Sequence, residues 1–123
     1  MKWRLFLNFS LFFLVFLSAC VDKEPSVARV YVQDGVGKLL PNVEVRLESN
    51  NPTTPYFSNR RRTNEAGFVD FNIQSVFDRM ESSKGQTAEF KILLVSENDV
   101  LQNYGKIIAR ENILATETII FAN

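Results

Sequence analysis

The side chains able to carry chemistry in this chain of 123 residues are few, and their types exclude whole classes of reaction. There is no histidine, which rules out a Ser-His-Asp triad, a histidine-bearing zinc site and an imidazole general base. Carboxylates are plentiful, and a pair about 5 to 9.5 Å apart suffices for glycoside hydrolysis. The order of Glu44, Glu48, Asp70 and Glu89 singles out no such pair, and acids scattered along strand exteriors ordinarily keep a surface soluble. No loop carries the spaced Asp/Asn series of an EF-hand calcium site. The densest charge is Arg60-Arg61-Arg62. Guanidinium clusters bind phosphate, sulfated glycans or acidic partners, but alternate side chains of an extended segment point to opposite faces. The favoured role for these arginines is therefore an edge strand whose charges discourage sheet-to-sheet aggregation, with a binding site as the alternative. The one cysteine, Cys20, has no intramolecular disulfide partner. Taken together, these residues lead to the expectation that the chain is not an enzyme and takes no cofactor or metal.

The surroundings of Cys20 suggest what it is for. Lys2 and Arg4 supply a positive start, and Leu5 to Leu17 form an apolar run interrupted only by Asn8 and Ser10, the layout of a secretory signal. A retained membrane span would need roughly 20 apolar residues, more than this run contains. The run closes on Leu17-Ser18-Ala19-Cys20, which resembles the lipobox of bacterial lipoproteins. That resemblance implies cleavage between Ala19 and Cys20, diacylglycerol on the Cys20 thiol, and acylation of the freed amine. Small residues at positions 18 and 19 admit the backbone to a protease cleft, and a thiolate is the nucleophile that takes the lipid. Each buried methylene contributes about 0.8 kcal/mol, and two or more chains hold stably, so the anchor would be permanent.

Loss of residues 1–19 alters the composition. The only tryptophan, Trp3, leaves with the signal, as do Lys2 and Arg4, which tips the balance of 14 basic and 14 acidic residues toward acid. No basic excess is left to draw nucleic acid or an anionic bilayer by charge alone. Residues 20–26, Cys20 followed by Val-Asp-Lys-Glu-Pro-Ser, read as a lipidated tether. Their acids loosely resemble the stretch that marks some Bacteroidetes lipoproteins for the cell surface. The expected location is the outer membrane, with the periplasmic and surface leaflets both open.

Residues 27–123 alternate with period two. Val30 and Val32 lead to the turn Asp34-Gly35-Val36-Gly37, and Val43, Val45 and Leu47 alternate with Glu44, Arg46 and Glu48 after Pro41-Asn42. Ser49 to Pro55 is a loop, and Tyr56 to Thr63 an extended segment anchored by Phe57. Asn64-Glu65-Ala66-Gly67 is a turn before Val69, Phe71 and Ile73, which suggests a hairpin about Gly67. Val76, Phe77 and Met80 give one short helical phase, with Ser75 as its cap and Gly85 at its end. Phe90, Ile92 and Leu94 mark a strand that is apolar on both faces and therefore central. Two more strands, Val100 to Ala109 and Ala115 to Phe121, flank a turn at Glu111-Asn112. This is an all-β pattern, a small antiparallel β-sandwich of about seven strands.

Three stretches carry a second resemblance: Val30 to Asp34, Gly37 to Val45 and Thr63 to Val69. They resemble the carboxypeptidase regulatory-like and prealbumin-like β-sandwich modules, in which a strand ends in Asp, a Gly turn follows, and a Pro-x-Val-x-Val strand precedes Thr-Asp-x-x-Gly. Asn64 stands where that pattern more often has Asp, and both can close an Asx-turn. The resemblance implies fold more than activity. Enzymes of prealbumin-like fold that hydrolyse ureide rings or cleave aromatic rings depend on histidines that this chain lacks. Asp34 and Asn64 are accordingly expected to form turns, with ligand or metal contact as the minor alternative.

The expected function is a lipid-anchored cell-envelope module, a structural or binding subunit of a larger assembly with an envelope protein partner. The alternative is a surface module binding glycan or matrix, for which Tyr31, Tyr56, Phe57, Phe68 and Tyr104 are the aromatic candidates. A hydrolase using two carboxylates is a third class, and would need a cleft with paired acids of raised pKa. Cys20→Ser should abolish fatty-acid labelling and leave unprocessed precursor, since serine offers no thiolate for the transfer. Normal maturation of that variant would end the lipoprotein reading.

Overall fold

A computed structural model describes residues 24–80, 85–95 and 100–121. The signal and Cys20 lie outside the described residues. The elements are β1 (Val27–Gln33), β2 (Glu44–Ser49), β3 (Ser58–Arg62), β4 (Phe68–Asn72), α1 (Gln74–Asp78), β5 (Thr87–Val95), β6 (Leu101–Arg110) and β7 (Leu114–Ile120). They form two sheets, one ordered β4-β1-β7 and the other β3-β2-β5-β6. The expected small β-sandwich is what forms.

Alternation decides the interior. Val30 and Val32 of β1, Val45 and Leu47 of β2, Phe71 of β4, and Phe90, Ile92 and Leu94 of β5 are all fully buried, joined by Ile73, Val76 and Phe77 around α1. Their neighbours along each strand face outward, as the period of two requires. β5 lies centrally between β2 and β6, and Leu93 on its other face is buried as well. Phe57 anchors the entry to β3 by meeting Phe90 edge-on at 5.6 Å.

The two turns singled out by Asp34 and Asn64 are the same structure built twice. Asp34 Oδ1 accepts the amides of Val36 and Lys38, and Asn64 Oδ1 those of Ala66 and Phe68. In each the first residue's amide bonds the carbonyl four residues on, and the glycine amide bonds back to the first residue's carbonyl. Gly37 and Gly67 supply the positive φ, 89° and 81°. Both side-chain oxygens are thus engaged by backbone amides, and the turn-forming expectation stands.

Three local expectations change. The turn at Gly67 does not close a hairpin: β3 pairs with β2 and β4 with β1, so residues 63–67 carry the chain from one sheet to the other. The hairpin partner of β3 is β2, joined through the loop 50–57, where the Ser49 amide donates to the Phe57 carbonyl. One pairing in the sandwich is parallel, β1 with β7, while the others are antiparallel. β6 ends where β1 begins, and the turn at 111–113 switches sheets there, so β7 must leave in the direction of β1. Finally, Ser75 does not cap α1; Asn72 Oδ1 accepts the Gln74 amide instead, at 3.1 Å.

The two turn glycines give a paired test. A β-carbon at Gly37 would meet nothing within 4 Å, whereas one at Gly67 would stand 2.5 Å from Leu39 Cβ and 3.1 Å from the Leu40 amide nitrogen. Alanine at either site carries the roughly 1 to 2 kcal/mol cost of a left-handed backbone. Gly67→Ala should add a clash, lowering the denaturation midpoint clearly more than Gly37→Ala. Equal shifts would mean that the Leu39 loop yields freely.

A candidate site: the arginine cleft at the sandwich edge

Edge strands β3 and β4 belong to different sheets and lie along one side of the sandwich. Register decides where the three arginines go. Arg61 stands opposite core-facing Val45, whereas Arg60 and Arg62 stand opposite Arg46 and Glu44 on the outer face. The triplet is therefore not one patch. Arg61 crosses to the other sheet, its Nη1 donating to the Asp70 carbonyl of β4 at 2.7 Å. Arg62 Nη1 donates to the Asn42 carbonyl at 3.1 Å. Between them opens a cleft of about 230 Å³ lined by Arg61, Arg62, Asn64, Phe68, Val69 and Asp70.

The acid in this wall is already neutralised. Arg29 takes Asp70 in a two-pronged pair, Nε to Oδ1 at 2.7 Å and Nη2 to Oδ2 at 3.0 Å, and lies 4.4 Å over the ring of Phe68. The Asp70 carboxylate, and after it the Tyr31 hydroxyl, hold the Arg29 guanidinium above its ordinary pKa. With Asp70 engaged, the charge offered to the cleft is that of Arg61 and Arg62. Each guanidinium is oriented by a backbone carbonyl, and its other N–H groups suit a carboxylate, phosphate or sulfate.

Thr63 positions this arrangement. It is buried, its Oγ1 donates to the Leu40 carbonyl at 2.7 Å and accepts the Val43 amide at 2.9 Å, and its own amide and carbonyl bond Val43 and Asn42. That fixes Asn42, whose φ is 59°, and so the carbonyl that holds Arg62. In the sequence Thr63 stands only as the first residue of the Thr-Asn-x-x-Gly turn, and its hydroxyl is the signal there for this bonding role.

The remaining candidates go elsewhere. Glu48 lies 3.5 Å from both Arg46 and Lys91, and Glu89 lies 3.7 Å from Lys106 while accepting the Asn50 side-chain amide. Tyr31 and Phe68 adjoin at 5.4 Å on one outer face, Phe57 and Tyr104 pack against Phe90 and Phe121, and Tyr56 is 77% exposed, so the five aromatics form no single row. Among the described residues no three of His, Cys, Asp or Glu converge as metal ligands. Cys20 and Ala19 lie outside the described residues.

No protein-family model matches the sequence, and no curated protein does. Among solved structures the fold is similar to a 3-chlorocatechol 1,2-dioxygenase from Rhodococcus opacus 1CP, with TM-score 0.50 and 12% identity over 84% of this chain. The match spans 62% of that protein's length. The expectation that the chain is not an enzyme is corrected here, because this likeness is to an enzyme. The missing histidine argued against particular mechanisms, and it does not argue against catalysis on such a scaffold. At this identity the likeness shows the fold alone, and it assigns no activity.

Thr63→Val keeps the shape of the side chain and strips its hydrogen bonds, leaving the Val43 amide and the Leu40 carbonyl without that partner. An unmade buried bond typically costs about 1 to 3 kcal/mol, and urea denaturation should show a loss of that size. A midpoint equal to wild type would mean that the hydroxyl is dispensable.

Proposed function

We propose that this chain is a lipid-anchored binding module of the cell envelope, held to the outer membrane through Cys20 and engaging an acidic protein partner through the Arg61–Arg62 cleft. The observation that carries the binding half is the cleft itself, with two guanidiniums fixed by backbone carbonyls beside a carboxylate already neutralised by Arg29. The lipobox at Leu17-Ser18-Ala19-Cys20 supports the anchor. The two matching Asx-Gly turns fall on the residues that resemble carboxypeptidase regulatory-like and prealbumin-like modules, and they support kinship with that group. Glycan binding by ring stacking is less well supported, since Arg29 already covers Phe68.

The test is crosslinking and recovery of envelope partners, at low and high salt, for wild type, Arg60→Gln and Arg62→Gln. Arg62→Gln should lose one specific partner and Arg60→Gln should lose none, because truncating a desolvated charge contact costs about 2 to 5 kcal/mol. High salt should weaken the wild-type complex. Equal recovery from both variants would return the arginines to edge protection. The double variant Arg61→Gln, Arg62→Gln should behave like Arg62→Gln once its folding is confirmed, since Arg61 also ties the sheets together.

A further inference from the structure

The connections gather at two ends of the sandwich, and the chain enters at one of them. There β1 and β7 begin side by side, Val27 opposite Leu114, and the loop 50–57, α1 and the turn at 111–113 lie at the same end. Ser26 is fully buried and fixes the entry point. Its hydroxyl donates to Gln74 Oε1 at 2.6 Å and accepts the Asn112 amide at 2.8 Å, and its carbonyl accepts the Ile73 amide at 3.0 Å. The chain is thus tied at once to α1 and to the turn between β6 and β7.

The entry end presents an apolar tip. Ile113 is 51% exposed and Leu114 42%, directly after the residue that Ser26 holds. Tyr56 is also exposed here, its carbonyl bonded by the Arg79 guanidinium. Asp78 and Glu111 at this end both accept from Gln74 Nε2, at 3.0 and 2.9 Å. Arg79 and Arg110 add exposed cations.

Resting on the reading that Cys20 carries lipid, we propose that this end is a membrane-docking face. Ile113 and Leu114 enter the headgroup and acyl boundary of the bilayer that holds the lipid, and Tyr56 sits at headgroup level. The length of the tether selects the bilayer as occupant. Six peptide units join Cys20 to the buried Ser26, and fully extended they reach only about 20 Å. The opposite end is carried away by the length of β1, a further roughly 20 Å at about 3.3 Å per residue. Exposed aliphatic side chains partition into the interface, an amphipathic ring favours headgroup depth, and cations favour an anionic surface.

The test uses the full lipidated chain, in which a newly introduced cysteine is the only free thiol. Ile113→Cys and, at the far end, Val36→Cys are labelled with an environment-sensitive fluorophore. Each is reconstituted into phosphatidylethanolamine and phosphatidylglycerol vesicles, with and without brominated acyl chains as quenchers. Val36 is 90% exposed, so both labels sit on surface positions; Leu114→Cys replaces Ile113→Cys should the latter misfold. The label at Ile113 should shift to the blue and lose at least half its emission to brominated lipid, while that at Val36 changes by less than a tenth. Fatty-acid labelling of Cys20 is measured in the same preparations. Quenching at both positions, or at neither, in lipidated protein would overturn the docking face and leave the anchor standing. Absence of fatty acid would overturn the anchor, and the docking face with it.

Discussion

One joint holds the two sheets in relation to each other, and it is built around the Thr63 hydroxyl. Within the first half of the chain the backbone passes between sheets twice, once after β1 and once after β3, and both passages occur at the end remote from Ser26. They are bonded together: the Val32 amide donates to the Gly67 carbonyl, the Leu40 amide to the Val32 carbonyl, and Thr63 joins Leu40 to Val43 through its own oxygen. A buried hydroxyl that both donates and accepts satisfies two backbone groups which would otherwise be stranded away from water. Gly67 belongs to the same joint, since Leu39 packs where a side chain would stand. The register of β3 follows from it, and with that register the placement of Arg61 and Arg62.

Much of this architecture was legible because most strands bury one face only. Val45 and Leu47, Val69 and Phe71, and Phe90, Ile92 and Leu94 announce their inward side by spacing, and each is buried as that spacing implies. Pairing was not legible in the same way. Alternation tells which face is covered and says nothing about which sheet covers it, so the turn at Gly67 looked like a hairpin when it is a crossing. β3 is exposed throughout and carries no core period at all. The reach of Arg61 to Asp70 depends on where β4 lies in the other sheet, which no local pattern records. Ser26, read as the end of a polar tether, is a buried bonding centre because Gln74 and Asn112 come to meet it.

The charges do different work on different faces. On the outer face of the β3-β2-β5-β6 sheet, Arg46, Glu48, Lys91, Glu89 and Lys106 form loose pairs at 3.5 to 3.7 Å, and partly exposed pairs of this sort contribute little stability each. Across the sandwich, the two-pronged contact between Arg29 and Asp70 is shorter and stacked on Phe68. It engages the carboxylate of the cleft's own lining, which would otherwise compete for the arginines there. Arg61 closes an open edge and lines the cleft at once, so edge protection and recognition are not exclusive roles for the segment. A scaffold of this kind also carries a dioxygenase, which separates what the fold determines from what its sites determine.

The parallel pairing of β1 with β7 has a mechanical consequence. β1 is the central strand of its sheet, bonded to β4 from Val27 to Tyr31 and to β7 along its whole length. Tension arriving through Ser26 along the strand axis loads both ladders in shear, so many hydrogen bonds must fail together before β1 can slide. A strand pulled across its axis would instead peel, bond after bond, at far lower force. Resistance to forced unfolding is set by the rate of that first rupture. The chain is therefore gripped by a strand bonded on both sides, and its strength under load comes from the direction of pull and not from any single strong contact.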